Sequence, residues 1–248
     1  MSDGALVKVF DDTAALATAA AQTIASIAGD AVAAGGRFTI ALSGGATPRE
    51  TYMRLAQSPH GEAVPWSRTF VFFGDERCVP PDHPESNYRM AQETLLGKVP
   101  IPPHQVFPMI RGEVADSDAA AVAYARALGE VFGLRRGELP RFDLILLGLG
   151  IDGHTGSLFP GSPALKEVFR PVVAVHAAAA AIPERLTLTY PVLTNAANVI
   201  FLVAGAEKAK VVRTVVKDHA LLPAGLVSPM NGRLVWMLDR AAAAFLGP

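Results

Sequence analysis

The sequence predicts an α/β protein in which helices cover both faces of a mostly parallel β-sheet. Short runs of Ile, Val, Leu and Phe alternate with helical stretches along all 248 residues. Several of these runs are continuously apolar, as strands covered on both faces are. Alternation of strands with helices is typical of parallel sheets. The predicted strands cover residues 38–42, 69–73, 142–147, 172–175, 185–189, 199–203 and 234–238.

Helical stretches separate or flank these strands along the chain. Proline-rich loops at 80–84 and 100–103 lie inside the alternating pattern and do not divide it, and no internal repeat is visible. We therefore expect residues 1–248 to form a single domain, within the usual size range. The predicted helices cover residues 13–34, 48–56, 88–96, 119–132, 206–216 and 240–246.

Composition excludes several classes of function. The net charge is −1, with 22 basic and 23 acidic residues and no basic block, which argues against a nucleic-acid partner. The single cysteine, Cys78, allows neither a disulfide framework nor a thiolate metal cluster. The N-terminus lacks the apolar core of a signal peptide, and the bland stretch 177–182 is too short to span a bilayer. The sequence thus predicts a cytoplasmic protein without a membrane partner.

The turn after the first predicted strand is a candidate anion site. Ligands of such sheets bind beyond the carboxyl ends of the strands, and backbone N–H groups at a helix N-terminus favour phosphate. A capping box, with Thr47 as N-cap and Glu50 at the third helical position, is expected to open the helix. The same residues are equally compatible with an ordinary turn that needs glycine for its backbone angles. The candidate residues are Ser43, Gly44 and Gly45.

The loop after the second predicted strand is rich in charge and has three interpretations. In the first, Asp75 accepts a substrate hydroxyl and Arg77 binds an anion. In the second, Asp75 and Glu76 join Asp82 and His83 around a divalent metal, although their spacing matches no known metal motif. In the third, the loop is a solvated surface in which Asp75 and Arg77 pair locally.

The stretch 144–161 contains Gly148, Gly150 and Gly153, which match the G-x-G-x-x-G spacing of dinucleotide-binding loops. That interpretation requires a helix at the last glycine and an acidic residue at the end of the next strand. The residues after Gly153 are instead rich in turn formers, and the next predicted strand is followed by His176. The dinucleotide interpretation fails, and no cofactor is expected.

The same stretch contains Asp152 and His154, one residue apart. His154 is the only one of six histidines in a glycine-rich turn directly after a strongly apolar strand. Imidazole titrates near neutral pH and is the usual general base. A histidine of purely structural role is the alternative, and the neighbouring carboxylate favours a functional one. His154 and Asp152 are therefore the catalytic candidates.

Four stretches together resemble one known family, the 6-phosphogluconolactonases, which are relatives of glucosamine-6-phosphate deaminase. The stretches are "LSGGATP", "FFGDER…ESNYRMA", "LLGLGIDGHTGSLFPG" and "PERLTLTYPVLTNAANVIFLVAGAEKAKVV", and they cover nearly the whole chain. The resemblance implies a modified Rossmann-like three-layer α/β/α sandwich. It also implies hydrolysis of 6-phospho-D-glucono-1,5-lactone to 6-phospho-D-gluconate, a step of the oxidative pentose phosphate pathway.

The resemblance also implies roles for single residues. Ser43, Gly44 and Gly45 would help to bind the sugar phosphate, and Asp75 and Arg77 would line the substrate pocket. Arg185 and Lys208 would be cationic ligands of the phosphate and substrate, although by sequence alone they read as a surface arginine and a helix-face lysine. The deaminase relative has a glutamate where this chain has Phe159, which favours a lactonase. The remaining implied site residue is His154 as the catalytic imidazole.

The expected mechanism needs no metal ion. A six-membered lactone is an activated ester that hydrolyses unaided in water, so His154 needs only to take a proton from a water molecule that attacks C1. Asp152 either orients His154 or lies near C1, and the sequence does not choose between these roles. No G-x-S-x-G nucleophile elbow is present. The expected partner is a sugar-phosphate lactone, and the expected assembly is a monomer or weak homo-oligomer.

Overall fold

The computed structural model describes residues 5–113, 116–178 and 180–247, and its largest element is a parallel β-sheet. Within the described residues this sheet has six strands, and all its neighbouring strands pair in parallel. With all strands numbered in chain order, the order across the sheet is β1 (Leu6–Phe10), β9 (Arg233–Asp239), β8 (Asn198–Val203), β5 (Leu144–Leu147), β2 (Phe38–Leu42) and β3 (Thr69–Phe73).

The central strands are buried on both faces. Every residue of β2 and of β5 is buried, because their sequences FTIAL and LILL carry no charge and can be covered from both sides. This confirms the predicted α/β sandwich with a mostly parallel sheet. The predicted strand at 142–147 begins two residues late, at Leu144, and the sequence does not predict β1.

The helices follow the predicted order with three differences. The predicted helix at 240–246 is wrong: these residues form turns, in which the Asp239 carboxylate accepts the N–H of Ala242 and the Asp239 carbonyl accepts the N–H of Ala243. The predicted helices at 88–96 and 206–216 are composite, with α-helical turns joined to 3₁₀ or π-helical turns. The sequence does not predict α3 or α6. The helices are α1 (Thr13–Gly35), α2 (Ala46–Leu55), α3 (His60–Ala63), α4 (Asn87–Ala91), α5 (Ser117–Phe132), α6 (Tyr190–Asn195) and α7 (Ala209–Val212).

Helix α1 is the one helix among the described residues that is long and apolar enough to cross a membrane. Its N-cap is Asp12, whose carboxylate accepts the N–H of Ala15, and its C-cap is Gly36, in a left-handed conformation with φ 74°. Leu16 and Ile24 on its inner face belong to the hydrophobic core, and the helix packs against α2 and β9. Its apolar character is thus used in packing against the sheet.

A second, antiparallel sheet was not expected. It consists of β4 (Asp75–Arg77), β7 (Glu184–Leu188) and β6 (Val172–His176), in that order. The sequence predicts β6 and β7 as part of the mostly parallel sheet. Only residues 177–183 connect them, which is too short for the crossover that parallel pairing requires. Gly74 joins the two sheets, since its N–H donates to the carbonyl of Leu42 and its own carbonyl accepts from Leu188, both at 2.8 Å.

Candidate functional site

A cavity of about 380 Å³ lies at the carboxyl ends of the parallel strands, where α/β sheets bind their ligands. Eight of the nine residues predicted for the site line it. The ninth, Asp152, does not line the cavity but hydrogen-bonds to His154. The structure therefore brings together residues from the turns after β2 and β5, from the strands β4 and β7, and from the segment after β8. The eight lining residues are Ser43, Gly44, Gly45, Asp75, Arg77, His154, Arg185 and Lys208.

The N-terminus of α2 opens directly on this cavity. Its N-cap is Gly45, with φ 106°, and no side chain caps the helix. The predicted capping box is therefore wrong: Thr47 is the second residue of the helix, and Glu50 forms a 3.1 Å ion pair with Arg54. The first N–H groups of a helix have no partner within it, and Ala46 and Thr47 both line the cavity. A helix end left open in this way is an anion site.

Two buried side chains fix the turn before α2. The hydroxyl of Tyr52 accepts the N–H of Ser43 at 2.9 Å and donates to the carbonyl of Ser43 at 2.8 Å. Burial raises the pKa of Tyr52, so the hydroxyl keeps its proton. The Asn87 amide donates to the carbonyl of Asp75 at 2.9 Å, and a Cβ at Gly44 would lie 2.0 Å from its Oδ1. Neither Tyr52 nor Asn87 is predicted from the sequence, since both act through tertiary contact.

Glu76 is buried beneath the charged loop, and its carboxylate stabilises the loop by accepting hydrogen bonds from it. Burial raises the pKa of Glu76, although backbone N–H groups oppose the shift. Within the ranges described, no group of three or more His, Cys, Asp or Glu residues is arranged to hold a metal ion. The Glu76 carboxylate accepts hydrogen bonds from the N–H groups of Arg77, Asn87 and Tyr88 and from the hydroxyl of Ser86, which is the N-cap of α4.

Two arginines face each other at the cavity. Arg77 of β4 and Arg185 of β7 are directly opposite in the antiparallel pairing. Arg77 bonds to the carbonyl of Glu85, and its Nε is the only buried side-chain polar atom without a partner in the described residues. Arg185 Nε donates to the carbonyl of Ile182 at 3.0 Å, and burial lowers the Arg185 pKa while Asp75 opposes that shift. Like charges opposite each other are destabilising, so an anion between the guanidinium groups would be favoured.

The third cation, Lys208, enters from the loop after β8. The preceding Gly205 has φ 104°, and its N–H donates to both oxygens of the buried Asp239 at 3.1 Å. Asp239 thereby fixes the loop that carries Lys208. Glu207 also lines the cavity, so this wall carries one charge of each sign.

Glycines in the turn after β5 make room for the imidazole. The N–H of Gly150 donates to the carbonyl of His154 at 2.8 Å, and a Cβ at Gly150 would lie 2.0 Å from His154 Nδ1. Gly153 has φ 85° and no helix follows it, in agreement with rejection of the dinucleotide loop. A later loop braces this turn: Ala224 donates its N–H to the carbonyl of Gly153 at 2.9 Å, and Leu222 packs over the same glycine.

Asp152 and His154 form a hydrogen-bonded pair. Asp152 Oδ1 is 2.6 Å from His154 Nδ1 and 3.1 Å from the backbone nitrogen of His154. Burial alone would raise the pKa of Asp152, but these bonds outweigh it and lower the pKa. An ionised carboxylate at Nδ1 favours the tautomer with the proton on that nitrogen, which leaves Nε2 as an acceptor. The His154 side chain is 29% exposed, so water can reach the ring.

Ser157 is a buried hydroxyl near the same turn. Its Oγ donates to Asp75 Oδ2 at 2.8 Å, and its residue is fully buried. The sequence shows no activating partner for Ser157, and the partner found is a carboxylate. No imidazole among the described residues contacts this hydroxyl, so the arrangement orients Asp75 and does not create a nucleophile.

Comparisons with known proteins agree with this geometry. The family model described as glucosamine-6-phosphate isomerases/6-phosphogluconolactonase matches residues 11–236. A 6-phosphogluconolactonase of Synechocystis sp. is 42% identical over 221 residues, which cover 88% of each chain. A protein of Oryza sativa named probable 6-phosphogluconolactonase 3, chloroplastic, is 38% identical over 253 residues, 96% of this chain and 75% of that one.

Solved structures give the same result. The 6-phosphogluconolactonase from Trypanosoma cruzi superposes with a TM-score of 0.86 at 32% identity, covering 100% of this chain and 99% of the other. A monomeric glucosamine-6-phosphate deaminase, at 21% identity and a TM-score of 0.77, covers 96% of this chain and 99% of its own and shares the fold. The chain belongs to the glucosamine-6-phosphate isomerase/6-phosphogluconolactonase family.

Proposed function

We propose that this protein hydrolyses 6-phospho-D-glucono-1,5-lactone to 6-phospho-D-gluconate. One observation carries the proposal: a single cavity is lined by an open helix N-terminus, three cationic side chains and the imidazole of His154. A phosphorylated, neutral ester ring requires an anion site and a base in one cavity. Relatives at 42% and 38% identity are named as enzymes of this reaction, which supports the same assignment.

In this proposal the phosphate is bound by the turn at residues 43–45 together with the cations. Backbone N–H groups at the start of α2 and the guanidinium groups of Arg77 and Arg185 would donate charge-assisted hydrogen bonds to the phosphate oxygens. Lys208 would add a point charge. Anchoring the phosphate at C6 fixes the position of C1, and such positioning removes much of the entropic barrier.

The proposed chemical step uses His154 as general base. Nε2 takes a proton from a water molecule as its oxygen attacks C1, which forms a tetrahedral intermediate. The C1–ring oxygen bond then breaks, and the imidazolium returns its proton to the departing ring oxygen. The products are a carboxylic acid at C1 and a hydroxyl at C5. General-base assistance of this kind contributes about 10²–10⁴-fold.

We assign to Asp152 the orienting role, because its carboxylate bonds to Nδ1 and does not line the cavity. Its lowered pKa keeps it ionised, so it stabilises the imidazolium that forms during the step. Asp75, held by Ser157, is placed to accept a substrate hydroxyl. We propose that the step is metal-free, because the lactone is already activated and the base supplies the nucleophile.

The assay follows from the chemistry of the substrate. The lactone is generated in place from glucose 6-phosphate by a dehydrogenase, and acid release is followed above the spontaneous rate in the presence of a chelator. We expect acceleration by the protein and none by His154→Gln. Spontaneous-rate hydrolysis with the intact protein would refute the function. Loss of activity only with chelator would refute the metal-free mechanism, and ammonia release from glucosamine 6-phosphate would favour a deaminase.

We further propose that the chain is one domain that acts in the cytoplasm as a monomer or weak homo-oligomer, without a nucleic-acid or membrane partner. The shared cavity supports one domain, since both sheets contribute residues to its wall. Limited proteolysis and sedimentation across a range of concentrations test the domain and the assembly, and cell fractionation tests the location.

A further inference from the structure

Phe159 is a half-buried aromatic residue behind the wall of the cavity, and the proposed mechanism does not use it. Its backbone lies in a short, well-anchored turn. The preceding Leu158 is fully buried and donates its N–H to Thr155 at 2.9 Å, and the carbonyl of Phe159 accepts from Ser162 at 3.0 Å. The backbone that carries the ring is therefore held by hydrogen bonds within the turn.

The Phe159 ring contacts two cavity-lining side chains at once. The centroid of the His154 ring is 4.4 Å from that of Phe159, with an angle of 37° between the planes. The guanidinium carbon of Arg185 is 5.7 Å from the same centroid. A cation near an aromatic face is attracted by the ring quadrupole, and tilted ring pairs at this separation are favourable. Phe159 is thus the physical link between the imidazole and one arginine.

We propose that Phe159 is a positioning residue that holds His154 and Arg185 at a fixed separation, an inference that rests on the proposed function of both. Among the described residues, each of these side chains has one hydrogen-bond partner: Asp152 Oδ1 binds His154 Nδ1, and the carbonyl of Ile182 accepts from Arg185 Nε. A side chain held by a single hydrogen bond can still rotate about the donor–acceptor axis. Contact with the ring supplies the second restraint on each side chain and relates the two to each other.

The kinetic test compares Phe159→Leu with Phe159→Tyr. Leucine keeps an apolar side chain but removes the aromatic face, whereas tyrosine keeps that face. We expect Phe159→Leu to lower kcat about 10- to 100-fold through misplacement of the base. Its KM should rise about 2- to 30-fold through loss of the cation–π contact. Phe159→Tyr should restore both constants to near those of the unchanged protein. Phe169→Leu, at a position 84% exposed, is the matched control and should change neither constant.

A second measurement does not require turnover. In the free protein, the Hε1 resonance of His154 is assigned by its loss in His154→Gln and followed through a pH titration. We expect an NMR cross-peak between this proton and the Phe159 ring. In Phe159→Leu the resonance should move downfield and its titration midpoint should change. In Phe159→Tyr both the chemical shift and the midpoint should stay close to those of the unchanged protein. The charged groups that share the cavity or contact the imidazole, unchanged in these variants, are Asp75, Arg77, Asp152, Arg185, Glu207 and Lys208.

Two results would overturn the proposal. The first is a folded Phe159→Leu variant with unchanged kcat, KM and His154 titration. The second is absence of the cross-peak in the unchanged protein, which decides the matter even if the leucine variant does not fold. Normal turnover by His154→Gln would refute the general base instead, and the cross-peak would still establish whether the ring contact exists.

Discussion

The two halves of the candidate site are built in different ways. Asp152 and His154 are separated by the single residue Gly153, and their hydrogen bond forms within one glycine turn. Arg77 and Arg185 are far apart in sequence and meet only because β4 and β7 pair in one register. The base is therefore a local structure, and the cation pair is a product of tertiary pairing.

This difference indicates how each half should respond to substitution. A local turn fails when its own backbone or its own residues change, since few distant contacts can compensate. A pair held by sheet register keeps its backbone position when one side chain is shortened, and the remaining cation still binds. We expect steep losses of kcat in the first region and graded losses of affinity in the second.

The largest expected effect comes from His154→Ala. Removal of the base should lower kcat about 10²- to 10⁴-fold, with little change in KM because the cations remain. His104, exposed in the 3₁₀ turn Pro103–Gln105, gives the control variant His104→Ala, which should behave as the unchanged protein. The measurement is acid release above the spontaneous rate. A kcat near normal in His154→Ala would end the general-base assignment.

Gly150→Ala tests whether the turn that carries His154 tolerates substitution as poorly as a locally built turn should. The added Cβ would lie 2.0 Å from His154 Nδ1, so the ring must move, and we expect kcat to fall about 10²-fold. Gly129→Ala is the control, since a Cβ there meets nothing within 4 Å. In the last turn of α5 it should stabilise the fold by at most about 0.5–1 kcal/mol. Wild-type kcat in Gly150→Ala would show that the pair tolerates displacement.

Single and double substitutions of the arginines test the graded response. Loss of a hydrogen bond to a charged group costs about 1.5–3 kcal/mol, so Arg77→Ala or Arg185→Ala should each raise KM about 10- to 150-fold. The double variant should lose less than the sum of the two, because the cations share one anion and repel each other. Arg213→Ala, at an exposed position that pairs with Asp218, is the control. Fully additive losses would show that the two arginines bind independently.

The smallest expected effect on turnover, and a clear one on stability, comes from Tyr52→Phe. It leaves the buried N–H of Ser43 without the partner seen here, which should lower the free energy of unfolding by about 1–3 kcal/mol. KM should rise modestly as the turn loosens. Tyr88→Phe is the control, because its hydroxyl has no hydrogen-bond partner among the residues described. Equal stabilities of the two variants, measured by denaturant unfolding, would show that Tyr52 does not fix the turn.

Much of the fold and the local half of the site could be predicted from the sequence. Apolar runs such as residues 38–42 and 69–73 were found with their observed bounds, because strands buried on both faces leave a continuous apolar signal. His154 lies in the turn beyond the carboxyl end of β5, a strand with the same continuous apolar sequence. The capping box and the helix at 240–246 were wrong, since local pattern alone cannot show that a helix end faces a cavity or that a short segment stays in turns.

The sequence by itself determined the strand–helix alternation and the turn that carries Asp152 and His154, because these depend on residues close together in the chain. Only the tertiary structure decided that Gly74 passes the chain into a second sheet, that Arg77 lies opposite Arg185, and that the Arg185 guanidinium lies near the Phe159 ring. Those arrangements depend on strand register and on packing between distant segments, and local sequence patterns predict neither.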